Sequence, residues 1–125
     1  MITRLDDTTK GYDNHFLNIA IAYGGQNELV DAVKKIGKKI KEGKLDAEDI
    51  DKQVIEENLY TSYLPQPSAD MILRTSGEKR MSGFLMWQSA YSELVFLDIF
   101  WPGFRKIDLM RAIRVFQKRK RRIGK

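Results

Sequence analysis

With 125 residues, 42% of them apolar and 31% charged, the chain has the size and balance of one soluble globular domain, not of a disordered or membrane-embedded segment. It contains no cysteine, which excludes disulfides and thiolate chemistry, and a single histidine, His15. One histidine cannot build a histidine metal site, so any metal must sit on oxygen ligands. The net charge of +5 is uneven: residues 105 to 125 hold ten Lys or Arg against one acid, Asp108 (+9), and the rest holds 12 against 16 (−4). The basic character therefore belongs to one end of the chain.

The opening "MITRLDDTTK" has no apolar run after its charges, so no signal peptide is expected there. No apolar stretch approaches the ~20 residues of a membrane span, and the expectation is a cytoplasmic chain. "FLNIAIAY", 16 to 23, is apolar on both alternating faces and predicts a parallel strand covered on both sides. "GGQNE" follows, and Leu29, Val30, Val33, Ile36 and Ile40 then recur at helical spacing, which predicts strand, glycine turn, helix. Residues 45 to 60 predict one or two short helices with Ile50, Val54, Ile55 and Leu59 inward. "LPQPSAD" is a proline-bearing link, "DMILRT" (70 to 75) a second strand and "ELVFLDIF" (93 to 100) a third. "WPGF" stops that strand, and a last helix is predicted from about Arg105 to Arg122 with Leu109, Met110, Ile113 and Phe116 buried. Trp87, Tyr91, Phe96, Trp101 and Phe104 read as core aromatics, some of which could line an apolar ligand cavity.

Strands alternating with helices predict an α/β fold with a mostly parallel sheet flanked by helices. Ligands gather beyond the carboxyl ends of such strands, where Arg74 ends the second one. In "ILRTSGEKRMSGFLMWQ", 72 to 88, Arg74, Arg80 and Ser82 flank a turn, and Ser82 with Gly83 could open a following helix with free amides. Two guanidinium forks and a hydroxyl are parts for gripping a diphosphate. Glu93, eleven residues beyond Ser82, is a carboxylate suited to Mg²⁺, an ion that usually keeps several waters and takes further oxygens from phosphates. The plainer reading is that loop arginines are solvated or paired with acids, and Glu78 stands close enough to serve either one.

"DMILRTSGEKRMSGFLMWQSAYSELVFLDIFWPGF" closely resembles the C-terminal signature of the cis-prenyltransferases, the family of undecaprenyl diphosphate synthase. "LNIAIAYGGQNELVDAV" resembles the stretch before it, and the likeness runs in order from about Leu17 to Gly124. The resemblance implies an undecaprenyl diphosphate synthase-like fold, incomplete on its N-terminal side, with residues 1 to 125 as a single domain matching the C-terminal half. It implies transfer of prenyl groups with Mg²⁺, condensing isopentenyl diphosphate with an allylic diphosphate into a cis-polyprenyl diphosphate. By position, Arg74, Arg80 and Ser82 would bind the diphosphate of isopentenyl diphosphate. Glu93 matches the family's magnesium-associated glutamate, thought to act beside the neighbouring subunit's site. Arg122 and Gly124, in "RIG", match an Arg-x-Gly motif that reaches across a dimer interface toward substrate. Gln26 stands where many members have arginine, and Gly83 where bacterial members usually have asparagine, which points to the archaeal-type branch.

Nothing in the chain matches the family's N-terminal glycine-rich region with its catalytic aspartate. Asp6, Asp7 and Asp13 lack the glycine turn and following arginine of that region, so no catalytic residue is assigned. One edge of the sheet is therefore expected to be open. The implied partners are a second copy in a homodimer or a complementing chain that carries the N-terminal half. The lipid product implies peripheral membrane contact. A non-catalytic partner subunit of a heteromeric enzyme is the alternative, although such chains often lose the phosphate arginines retained here. The run "KRKRR" within "QKRKRRIGK" could bind nucleic acid, but five consecutive basic residues are more often a solvated face or a patch for anionic lipid, and no nucleic acid is expected.

Overall fold

In the computed structural model, residues 7 to 119 are described. A helix, α1 (Gly25–Lys41), is followed by a 3₁₀ turn (Ala47–Asp49) and a short helix, α2 (Lys52–Glu56). Strand β1 (Met71–Arg74), strand β2 (Glu93–Phe96), a 3₁₀ turn (Trp101–Gly103) and helix α3 (Lys106–Lys118) complete the order. β1 and β2 pair in parallel, with Met71 opposite Glu93 and Arg74 opposite Phe96. Leu97 N–H to Arg74 O (2.8 Å) and Gly77 N–H to Leu97 O (3.0 Å) prolong this pairing past the ends of the strands.

α1 and α2 form one packed unit. Asp51 caps α2, its Oδ1 accepting from Val54 N–H at 2.9 Å, and Leu59 beyond it is buried. Lys35 of α1 donates to Asn58 O at 3.1 Å, with its ammonium 5.6 Å from the centre of the Tyr60 ring. Tyr60 in turn donates to Asp31 at 2.5 Å. α3 packs on β2, burying Ala112 and Asp108. Asp108 Oδ2 accepts from Arg105 N–H (3.1 Å) and Arg105 Nε (3.2 Å), satisfying the helix start.

The strand predicted at 16 to 23 does not form. Leu17 is 86% and Ile19 72% exposed, because no neighbouring strand among the described residues offers this segment a ladder. Among the described residues the sheet has two strands, so β1 and β2 each have one edge without a strand partner. The predicted inward faces also change. Val30, Val33, Ile50, Leu109 and Met110 are exposed, while Gly25, Glu28, Ala32 and Ile36 form the buried stripe of α1. Of the expected core aromatics, Tyr91 and Trp101 lie on the surface, Trp101 stacked on Phe104 at 5.4 Å. The predicted α3 end at Arg122 lies outside the described residues, as do Arg122 and Gly124.

The Arg105 side-chain hydrogen bond, with help from the Arg105 backbone N–H and the Arg111 charge, holds the Asp108 carboxyl below its ordinary value. The folded chain thus keeps Asp108 ionised more firmly than the unfolded chain does. Its contribution is whole above the ordinary carboxylate range and is lost as the pH falls through the lowered value. In thermal melts from about pH 7 to about pH 3, we expect Asp108→Asn to lower the melting temperature at neutral pH and to flatten part of the acid-side fall.

Candidate functional site

β1 is only four residues long, yet it fixes the site by delivering Arg74 to the carboxyl end of the sheet. Two left-handed residues follow, Ser76 (φ 74°) and Gly77 (φ 71°), and the chain turns back over the strand ends. Arg74 Nη1 donates to Ser82 Oγ at 2.9 Å and also to the Arg80 carbonyl. Arg74 and Ser82, set eight residues apart in sequence, are thus brought together. These bonds use one guanidinium nitrogen, so other N–H groups of the fork are left to take an anion. Arg80 reaches the same cleft, but its guanidinium pairs with Glu78 at 2.7 Å. Both partners are solvent-exposed, and an exposed ion pair is easily exchanged for a phosphate.

The cleft has a volume of about 500 Å³. Arg74, Arg80 and Ser82 form its polar side, and Met71, Leu73, Phe84 and Leu85 are among its apolar residues. A lining of this kind, polar on one side and apolar on the other, can take a ligand with an anionic head and an apolar part.

The predicted helix after Ser82 is absent. Residues 82 to 91 form successive turns, with Ser82 (φ 51°), Gly83 (φ 75°) and Leu85 (φ 46°) all left-handed, a backbone shape no right-handed helix accommodates. What holds this loop is the start of α1. Gly25 N–H donates to Gly83 O at 3.1 Å, and a Cβ on Gly25 would stand 2.3 Å from that oxygen. The glycine pair of "YGGQ" therefore allows a close approach of helix to loop.

Sequence reasoning missed the polar group beneath the loop. Glu28, buried on α1, accepts from Tyr23 Oη, from Tyr60 N–H at 2.8 Å and from Gln88 Nε2 at 3.0 Å. Burial, then the hydrogen bond and charge of Glu28, raise the Tyr23 phenol well above its ordinary value, with the Leu85 backbone amide acting in the opposite direction. Tyr23 meets Phe84 edge-on at 5.6 Å. The signal was an acid on the stripe Gly25, Glu28, Ala32, Ile36, where the helical period calls for an apolar residue.

Glu93 lies elsewhere. The ladder places it opposite Met71, three residues from Arg74, roughly 10 Å away along the strands at their amino end. Its Oε2 accepts from Arg119 Nη1 at 2.9 Å, which also donates to Leu94 O at 2.9 Å. Among the described residues there is no cluster of three or more metal-ligating side chains.

Gly25→Ala should push α1 off the loop and cost about 1 to 3 kcal/mol, as overpacking of a close contact does. Urea unfolding would measure the loss, and amide spectra should show the largest shifts at Ser82 and Gly83.

The chain matches the family described as "Putative undecaprenyl diphosphate synthase" over residues 1–124. It is 58% identical over 120 residues to a tritrans,polycis-undecaprenyl-diphosphate synthase (geranylgeranyl-diphosphate specific) of Methanocaldococcus jannaschii, covering 96% of this chain and 43% of that protein. To the synthase of the same name from Methanopyrus kandleri it is 52% identical, over 99% of this chain and 45% of that protein. The chain thus spans somewhat less than half the length of these curated relatives. Among solved structures, lavandulyl diphosphate synthase from Lavandula x intermedia, in complex with dimethylallyl diphosphate, superposes with a TM-score of 0.96 at 32% identity. That match covers 99% of this chain and 52% of the other. A probable undecaprenyl diphosphate synthase from Campylobacter jejuni superposes with a TM-score of 0.79 at 34% identity, over 99% and 54%.

Proposed function

The chain belongs to the undecaprenyl diphosphate synthase family of cis-prenyltransferases, and on that premise we propose that it supplies the isopentenyl diphosphate subsite of such an enzyme. The observation that carries this reading is the convergence of Arg74 and Ser82 at the carboxyl end of β1, with Arg80 on the same cleft. The two guanidinium groups and the hydroxyl would hold the diphosphate, and the apolar wall would take the five-carbon tail. With the diphosphate fixed, the alkene is aimed at an allylic diphosphate, so this chain contributes orientation and charge neutralisation. The allylic subsite and the catalytic aspartate of the family would come from the half that this chain does not match, and the chain alone would not turn over.

The family resemblance also calls for Mg²⁺. The described residues do not make a magnesium site by themselves, since Glu93 is one carboxylate, paired with Arg119 and set at the other end of the ladder. Its place at that end fits a role toward a neighbouring subunit's site better than toward its own. A homodimer, or a complementing chain bearing the other half, follows from the same reading, as does contact with the membrane that takes up the product. The non-catalytic partner reading is less favoured, because the Arg74–Ser82 pair is intact.

Calorimetric titration of the chain with isopentenyl diphosphate tests the assignment. We expect saturable binding that Arg74→Ala weakens by about 1.5 to 3 kcal/mol, the worth of a hydrogen bond to a charged group. Equal affinity in the variant would contradict it.

A further inference from the structure

Glu28 is 1% exposed, and no lysine, arginine or histidine among the described residues pairs with it. A carboxylate kept inside without a cation is costly unless strong donors surround it. Its donors come from three separate segments: Tyr23 before α1, Tyr60 after α2, and Gln88 at the far end of the 82 to 88 loop. Gln88 is itself buried, its side chain donates also to Thr61 Oγ1 at 3.0 Å, and its backbone carbonyl accepts from Ala69 N–H at 2.9 Å, two residues before β1.

The loop needs such anchors. Ser82 and Leu85 are non-glycine residues in the left-handed region, a conformation that persists only where surrounding contacts impose it. Three contacts impose it here: Gly25 on Gly83, the Tyr23 ring on Phe84, and Gln88 on Glu28. Two of the three end on the Glu28 carboxylate. Ser82, the partner of Arg74, opens the left-handed turn immediately before them.

We propose that Glu28 is a positioning residue for the anion cleft: by fixing Tyr23 and Gln88, it holds the 82 to 88 loop in the shape that sets Ser82 against Arg74. Glu28 does not touch the ligand and acts through the loop. The inference rests on the reading of Arg74, Arg80 and Ser82 as a diphosphate subsite. Tyr23, whose phenol burial keeps protonated, stays a donor to Glu28 throughout the neutral range.

Two measurements on the full chain test it: amide hydrogen exchange, and calorimetry with isopentenyl diphosphate. Glu28→Ala should speed exchange at residues 82 to 88 while the ladder amides of β1 and β2 stay protected. It should weaken binding by roughly ten-fold to a hundred-fold, as small misplacements of a positioned group do. Glu28→Gln keeps the shape, still accepts from Tyr60 and Gln88, and should recover most of both. A simple tie between α1 and the core would instead raise exchange evenly and leave affinity per folded molecule unchanged, which would overturn the proposal. If Glu28→Ala unfolds outright, Tyr23→Phe removes a single donor, and wild-type exchange and affinity in that variant would overturn it as well. A wild-type chain that does not bind isopentenyl diphosphate would refute the subsite reading alone, and the exchange pattern would still decide whether Glu28 orders the loop.

Discussion

Four residue pairs of parallel ladder, Met71–Arg74 against Glu93–Phe96, set where Arg74, Ser82 and Glu93 stand. Parallel pairing sends both strands the same way, so Arg74 must leave at one end of the sheet and Glu93 must enter at the other. The connection between them, residues 75 to 92, has to cross back over the strands, and it does so as the loop carrying Arg80 and Ser82. A shift of one residue in this register would turn Arg74 to the opposite face and separate it from Ser82. The Arg74–Ser82 hydrogen bond is thus a product of the register as much as of the two side chains.

Two polar networks then hold the helices to this ladder. On one side, Arg119 ties the end of α3 to Glu93 and the Leu94 carbonyl, while Asp108 closes the start of the same helix. On the other, Glu28 gathers Tyr23, Tyr60 and Gln88 under the loop. The apolar contribution is small by comparison, with Ala32, Ile36, Leu59, Val95 and Ala112 as the buried hydrophobic residues among those described. So few buried apolar side chains leave hydrogen bonds and tight glycine contacts with a larger share of the ordering than in a fully covered α/β sheet. The exposed Leu17, Ile19 and Ile21 belong to the same picture, since they are apolar residues of strand character that pair with no strand among the described residues.

The sequence was legible wherever one segment decides its own conformation. Helical spacing located α1 and α3, the turn chemistry of "WPGF" located the stop between β2 and α3, and the β-rich runs located both strands. It misled where a partner decides. "FLNIAIAY" has every local mark of a buried strand, but a strand exists only with a ladder, and none among the described residues reaches it. Val30, Val33, Leu109 and Met110 look buried by period and are exposed. Arg74, Arg80 and Ser82 could be named as candidates from residue type and position, because a proposed anion subsite needs donors at a strand end. The loop's left-handed residues and the Glu28 network could not, since they depend on contacts between residues sixty positions apart, such as Glu28 with Gln88.

Arg74 and Arg80 are proposed to form a diphosphate subsite within this chain. Arginine Nε–H nuclear magnetic resonance during addition of isopentenyl diphosphate tests it most directly, because each guanidinium reports separately. Such a subsite would give saturable shifts at Arg74 and Arg80, with Arg105, Arg111 and Arg114 of the basic helix nearly still. Shifts spread over the helix arginines with Arg74 unmoved would mean that the cationic end merely attracts anions, and would contradict it.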